Sequence, residues 1–336
     1  MVSVVCPIYN EEKYIFQCIE SLLQQDYPKE ELEILFVDGM SNDKTRSIIA
    51  LYTEKYPFVR MLDNPKRTVP YAMNKGILAS RGNIIIRLDG HVEYPTDYLS
   101  SLVKHLKTLD ADNVGGLCMT IPSGSSAREL AIAEVLSSTF GMGNSYFRTG
   151  CKEIRLVDTV PFGCFRRDVF DRIGLYDTEL IRNQDDELNG RIIANGGKIY
   201  LIPSIVTKYY ARDRISKVRR MFYQYGLYKP LVNRKLGKPA TIRQFFPLAF
   251  VSWILLGAVL SCMSATIALV YIAVLLLYML LAYWFTIKSM AQTRNWRLLL
   301  YQPLVFLNVH ISYGWGYLTG IYKILFHKPF NAEINR

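Results

Sequence analysis

Along the first 88 residues, apolar runs of strand length alternate with stretches of helical period. Val2 to Ile8 is a continuous apolar run, and Ile15, Cys18, Ile19, Leu22 and Leu23 then recur at i, i+3, i+4, i+7 and i+8, as on one face of a helix. A second run, Leu32 to Val37, precedes a helical stretch with Ile48, Ile49 and Tyr52 on one face. Val59 to Leu62 reads as a short third strand. Pro70 then falls near the first turn of a helix carrying Ala72, Met73 and Ile77, where its missing N–H has no intrahelical partner to lose. Ile84 to Leu88 is the fourth strand and ends in Asp89. This alternation predicts an α/β fold with a mostly parallel central sheet covered on both faces. In such sheets ligands bind beyond the carboxyl ends of the strands. Tyr9, Asn10 and Glu11 follow the first strand, Asp38 the second and Asp89 the fourth, so polar groups converge on one edge.

The far half of the chain has a different pattern. From Gln244 to Ile287 no residue is charged over 44 positions, and Ser261, Ser264 and Thr266 interrupt the run near its middle. At about 20 residues per crossing, this predicts two membrane helices joined by a tight turn. A third apolar stretch, Leu298 to Tyr322, holds His310 and Gly314, Gly316 and Gly320. Gly316 and Gly320 make a GxxxG step, which lets helix backbones approach closely. With the first domain inside, two crossings return Lys288, Arg294 and Arg297 to the same side. A third would carry Lys323, Lys328 and Arg336 out, against the positive-inside tendency, so this segment either spans or lies as a re-entrant or interfacial helix. Met1 leads straight into a strand, so no signal peptide is expected.

Composition narrows the class. Of the 336 residues, 50% are hydrophobic and 21% charged, which excludes intrinsic disorder, collagen-like repeats and coiled coil. The formal net charge of +11 suggests nucleic acid until it is located. Residues 1–203 carry 23 Lys/Arg against 27 Asp/Glu; residues 204–243 carry 11 against the single acid Asp213. The excess is one juxtamembrane block, so no nucleic-acid partner is expected. Six scattered cysteines without a CxxC pair suggest neither a disulfide framework nor a zinc site, and suit a reducing cytosol. P-loop, Rossmann and GxSxG signatures are missing, and Pro122 to Ser126 is the best candidate for a mobile loop. The resulting division is a catalytic domain over 1–203, a basic segment over 204–243 completing the active site, a membrane region over 244–326 and a tail over 327–336.

Val5-Cys6-Pro7-Ile8-Tyr9-Asn10-Glu11-Glu12 and Val37-Asp38-Gly39-Met40-Ser41-Asn42-Asp43-Lys44-Thr45 open a series of ordered motifs. It continues through Ala72-Met73-Asn74-Lys75-Gly76, Arg87-Leu88-Asp89-Gly90-His91, Gly163-Cys164-Phe165-Arg166-Arg167 and Asp185-Asp186-Glu187-Leu188-Asn189. Together these resemble family 2 glycosyltransferases of the GT-A fold, and most of all the bacterial succinoglycan-type enzymes that extend lipid-linked exopolysaccharide precursors. The resemblance spans about Val2 to Lys229.

The resemblance implies an inverting, metal-dependent transfer from a UDP-sugar to a polyprenyl-diphosphate-linked saccharide, by a multi-pass protein of the cell (inner) membrane with its catalytic domain cytoplasmic. It implies a nucleotide-sugar site of Pro7, Tyr9, Asn10, Glu11, Asp38, Ser41, Arg67, Asn74 and Asp89. Asp38 can accept hydrogen bonds from a base or ribose; Asp43 and Thr45 read more readily as helix capping. Asp89 with His91 stands where the family has DxD. A carboxylate at a strand end can hold Mg²⁺ or Mn²⁺, and an imidazole favours Mn²⁺; His91 packing against a loop is the alternative.

The base that takes the acceptor's proton would be Asp185 in the string Gln184-Asp185-Asp186-Glu187, where Gln184 replaces a common Glu. Asp186 is the rival, and acids favouring a helix dipole the plainer account. Cys164, Arg166, Asp186, Arg212, Arg214 and Arg220 are expected at the acceptor or its diphosphate. Met221-Phe222-Tyr223-Gln224-Tyr225-Gly226 departs from the family's Q-x-x-R-W segment, so a neighbouring Arg must serve, or some of these cations only meet anionic headgroups. The rival readings are a processive polysaccharide synthase and a non-catalytic membrane protein with a degenerate nucleotide-sugar site. No protein partner is indicated.

Overall fold

A computed structural model describes residues 1–239 and 241–330; the end of the expected tail, 331–336, lies outside the described residues, as does Arg336 of the topology argument. The chain runs β1 (Val2–Ile8), α1 (Ile15–Leu23), β2 (Leu32–Asp38), α2 (Thr45–Lys55), β3 (Val59–Asp63), α3 (Val69–Ala79), β4 (Ile84–Arg87) and α4 (Tyr98–Thr108). It continues through β5 (Asn113–Ile121), α5 (Ala127–Ser137), α6 (Thr139–Met142), α7 (Tyr146–Thr149), β6 (Arg155–Leu156), β7 (Cys164–Arg166), α8 (Arg167–Ile173) and α9 (Gln184–Ala194). It ends with β8 (Ile199–Tyr210), α10 (Ile215–Leu236), α11 (Phe245–Ser261), α12 (Ala265–Thr293) and α13 (Leu298–Leu325).

Two compact units result. One takes Met1–Met119 and Gly150–Lys208, the other Thr120–Thr149 and Tyr209–Arg336. The division differs from the one drawn on charge, because residues 120–149 leave the first domain. The reason lies in Phe140. Its ring stacks on Phe285 at 5.3 Å and meets Phe306 edge-on at 4.9 Å, and its carbonyl accepts from His310 Nε2 at 2.9 Å. Ser126, in the stretch expected to be loose, closes a capping box with Glu129 that starts α5.

The first unit holds an eight-stranded sheet in the order β3-β2-β1-β4-β7-β5-β8-β6. β1 pairs in parallel with β2 and β4, and β2 with β3, as the alternating pattern requires; β7 then runs antiparallel to both β4 and β5. All seven residues of β1 and of β2 are buried, as expected for strands covered on both faces. In α1 the buried residues are Ile15, Cys18, Ile19 and Leu22, the face read from the period. Order 3-2-1-4 leaves a crevice outside the carboxyl ends of β1 and β4, where the sheet's direction of winding reverses.

In the second unit α11 and α12 are the two helices, among the described residues, long and apolar enough to cross a membrane. They meet near Ser261 and Ser264, as the interrupted run predicts. α13 is different. Its GxxxG step packs against α10: a Cβ on Gly316 would lie 2.2 Å from the Tyr223 carbonyl oxygen, one on Gly320 2.4 Å from that of Leu227, and one on Gly226 2.0 Å from that of Tyr313. Backbones this close leave no room for a methyl group. Gly316→Ala should therefore destabilise by about 1–3 kcal/mol or more, read as a lower unfolding midpoint in detergent, while Leu304→Ala on the exposed face should stay within about 0.5 kcal/mol of wild type.

Candidate active site

The loops that leave β1 and β2 are sewn to each other. Asn10 N–H donates to Ser41 Oγ at 2.8 Å, and Asn42 N–H to Asn10 Oδ1 at 3.0 Å. Glu11 N–H donates to Thr45 Oγ1 at 2.7 Å, and Asp43 accepts from Glu12 N–H and Thr45 N–H. Thr45 and Asp43 thus start α2 and also clamp the first loop to the second. Asp38 is fully buried beneath them, and its carboxylate accepts from Ser41 N–H, Ser41 Oγ and Arg46 Nη1. Arg46, which sequence reading passed over, also pairs with Asp63 at 2.8 Å and so ties β2 to β3.

Several backbones on this edge are bent into the left-handed region. Asn10 after β1 has φ 55°, Met40 after β2 61°, Arg67 after β3 60°, and Asn183 before α9 59°. Residues other than glycine held this way cost on the order of 1–3 kcal/mol each and cluster at functional sites. Arg67 stands over the Tyr9 ring at 5.8 Å, so two of the expected nucleotide-sugar residues meet. Pro7, buried in β1, pairs with Val37 and supports the edge from below. Asn74 goes elsewhere: its amide donates to the Tyr176 carbonyl at 2.8 Å and accepts from Tyr176 N–H at 2.9 Å, which fixes the segment leading toward α9.

Beyond β4 the acids gather around a residue that sequence reading quoted but did not use. Arg87, 12% exposed, donates through Nη1 to Asp185 Oδ2 and pairs through Nη2 with Asp89 Oδ1 at 3.4 Å. Burial disfavours charge on this guanidinium, but Asp185 and Asp89 outweigh it and hold its pKa well above the ordinary value. Its Nε is buried without a partner among the described residues, as is the hydroxyl of Tyr176, which lies in electrostatic reach of Asp185. Orphaned polar atoms are rare in folded proteins, so these two single the place out as a candidate site.

Asp185 enters in the first turn of α9 and is one-third exposed. Burial raises its pKa; Arg87 opposes the rise, Asp186 and Asp89 add to it, and the balance is upward. Glu187, two residues on, is a structural acid. It grips Arg191 at 2.7 Å, and Arg191 holds the carbonyls that follow α8.

Asp89 is held through its backbone by Tyr94, whose hydroxyl accepts from Asp89 N–H at 2.9 Å. Its carboxylate is 26% exposed. His91 Nδ1 meets Glu11 Oε1 at 3.1 Å, a contact that closes the crevice between the ends of β1 and β4. Among the described residues no three His, Cys, Asp or Glu side chains gather to hold a metal ion alone. A two-ligand set still fits a cation that takes its other ligands from substrate phosphates. An imidazole that ligates through one nitrogen keeps its other on a carboxylate, which is what Glu11 offers His91.

Cys164 and Arg166 do not join this group. Cys164 is fully buried in β7, and burial pushes its thiol pKa far up. Arg166 pairs in register with Ile84, at the amino end of β4, and binds Asp110; it sits on the opposite edge of the sheet from Asp89. Because β7 runs antiparallel to β4, Arg166 at its end falls beside the start of β4. Arg212, Arg214 and Arg220 belong to the second unit, where Arg214 precedes α10 and pairs with Asp213 at 3.6 Å.

Residues 3–174 match Glycosyl transferase family 2. The chain belongs to this family. A relative 32% identical over 330 residues, covering 96% of this chain and 97% of its own, is the dolichyl N-acetyl-α-D-glucosaminyl phosphate 3-β-D-2,3-diacetamido-2,3-dideoxy-β-D-glucuronosyltransferase of Methanococcus voltae. The succinoglycan biosynthesis protein ExoA of Rhizobium meliloti is 30% identical over 78% of both chains. Among solved structures, the mannosyltransferase of Pyrobaculum calidifontis in complex with GDP-Man and Mn²⁺ superposes with a TM-score of 0.62, at 20% identity, over 94% of this chain and 87% of that one. This family 2 glycosyltransferase has the GT-A fold expected from its motifs.

Proposed function

We propose that this chain is an inverting glycosyltransferase that moves a sugar from a UDP-sugar to a saccharide carried on a polyprenyl phosphate or diphosphate, in cell-surface glycan or exopolysaccharide synthesis. One observation carries the reading: Arg87 gathers Asp89 and Asp185 at the carboxyl edge of the sheet, so that a donor-side acid and an acceptor-side acid share one cation. The names of the two relatives support the acceptor class, one acting on a dolichyl-phosphate sugar and the other in succinoglycan biosynthesis.

In this mechanism Asp185 accepts the proton of the acceptor hydroxyl as its oxygen attacks the anomeric carbon from the face opposite the leaving nucleotide. Arg87 fixes the carboxylate and keeps it ionised. Tyr9, Asn10, Ser41 and Arg67 line the nucleotide's place, with Asp38, Arg46 and Asn74 behind them as supports. Asp89 and His91 would hold Mn²⁺ or Mg²⁺, which when bound neutralises charge developing on the departing diphosphate. Arg212, Arg214 and Arg220 serve the acceptor's phosphates, and α11 and α12 anchor the chain in the membrane that holds the acceptor, which raises its effective concentration.

Proton NMR of the transferred anomeric centre tests the single displacement: inverted configuration is expected, and retention would overturn it. The pH profile tests Arg87. Activity needs ionised Asp185, so it is present above that pKa and lost as pH falls through it. In Arg87→Met nothing opposes burial, Asp185 titrates higher, and the acid limb of kcat moves to higher pH. A merely structural role for Arg87 lowers kcat without moving the limb.

A further inference from the structure

α10 and α13 run side by side in parallel, since Tyr223 meets Gly316 and, one turn further along both helices, Leu227 and Pro230 meet Gly320. At the amino end of α10 this packing opens into a cavity of about 610 Å³. Its α10 wall carries Ser216, Lys217, Arg219 and Arg220; Tyr223 lies deeper, and the α13 wall is Ile311, Ser312 and Trp315. Three cations thus stand above an apolar and aromatic floor. Asp213 pairs with Lys217 at 2.8 Å and is the one acid between Ser204 and Arg243, so cations outnumber acids three to one at this mouth.

The apolar floor does not stop at the cavity. Leu300, Leu304, Ile311, Trp315 and Tyr322 are all exposed. At about 100° per residue they fall within about 60° of one another around α13, so they form one stripe along the helix. Ile311 and Trp315 belong both to this stripe and to the cavity. A basic mouth opening onto a long apolar stripe is complementary to one kind of molecule: an anionic phosphate head on a single long hydrocarbon chain.

We propose that this groove receives the phosphate head of the lipid-linked acceptor, with its isoprenoid chain laid along the exposed stripe of α13; the identity of the lipid rests on the acceptor class inferred above. The guanidiniums of Arg219 and Arg220 offer paired N–H donors to phosphate oxygens, Ser216 and Ser312 add hydroxyls, and Trp315 walls the first isoprene units.

The test uses the full chain in phosphatidylcholine nanodiscs with a photoreactive polyprenyl monophosphate and no sugar donor. Wild type should be labelled on the peptides of α10 and α13. The double substitution Arg219→Gln, Arg220→Gln should weaken labelling about tenfold or more, as loss of charge-assisted phosphate contacts predicts, and Trp315→Ala should weaken it too. Arg234→Gln, which removes the same charge from the far end of α10, should stay within about twofold. Unfolding midpoints confirm that each variant is folded. Excess phosphatidylglycerol should not displace the probe.

Labelling of the double variant at the wild-type level overturns the groove and leaves the acceptor class standing. Displacement by phosphatidylglycerol overturns it in favour of a surface for bulk anionic lipid. A wild-type chain that takes no probe at all overturns the acceptor class, and the groove with it.

Discussion

Asp185→Asn should reduce sugar transfer by about 10²–10⁴-fold, the usual contribution of a positioned general base, while UDP binding stays within about twofold of wild type. The substitution keeps the shape of the side chain and its place in the first turn of α9 but removes the negative charge and the basicity that let it take the acceptor's proton. It also removes one of the two negative charges beside Arg87, leaving Asp89 as its carboxylate partner. Asp186→Asn is the matched comparison, since neighbouring positions on a helix point about 100° apart. Asp185 is the one of the two placed in an ion pair with Arg87, which also holds Asp89. Initial rates with saturating donor, beside UDP titration of the same preparations, decide the matter. Equal turnover by Asp185→Asn, or a greater loss in Asp186→Asn, would move the base to the neighbouring residue.

Asp89→Ala should abolish the Mn²⁺-dependent part of donor binding and lower transfer by about two orders of magnitude or more, because diphosphate charge would then develop without its counter-ion. The cost is compounded by Arg87, left with one acid instead of two. His91→Ala should have a smaller effect in the same direction, and it releases Glu11 from the contact that closes the crevice. Calorimetric titration of UDP with and without Mn²⁺ reads both. An Asp89→Ala affinity that still depends on Mn²⁺ would place the metal elsewhere.

Much of the first unit was legible because its signals are local. β1 to β4 and α1 to α3 each carry a mostly apolar run or a single-faced period, and their order alone implies the parallel half of the sheet. The antiparallel half was not legible. β7 is three residues long and β6 two, too short for any period, and their pairing is set by distant strands. That gap explains Arg166: without the direction of β7 nothing in the sequence says that it points to the amino edge.

Asp89 and the Tyr9–Glu11 loop were placed on one edge from the sequence because motif and strand end coincide there, whereas Asp185, in the first turn of α9, stood out by its motif alone. Arg87 was missed although it lies in the same motif, since an arginine inside a strand reads as surface charge until its two acids are placed around it. One signal was available: a lone cation ending the otherwise apolar Ile84–Arg87, two residues before an acid. In the second unit the glycine step was legible as a close approach, but its partner was not, because GxxxG says nothing about which helix comes near. Here it is α10 of the same chain.

The central claim is that this enzyme couples one nucleotide sugar to one class of lipid-borne acceptor. The measurement that tests it most directly is release of nucleoside diphosphate by the full chain in nanodiscs with Mn²⁺, across a panel of UDP- and GDP-sugars, with and without polyprenyl-phosphate-linked saccharides extracted from bacterial membranes. The account predicts release that needs both one UDP-sugar and the lipid. Release with a GDP-sugar alone, or release from a UDP-sugar that is indifferent to the lipid, would contradict it.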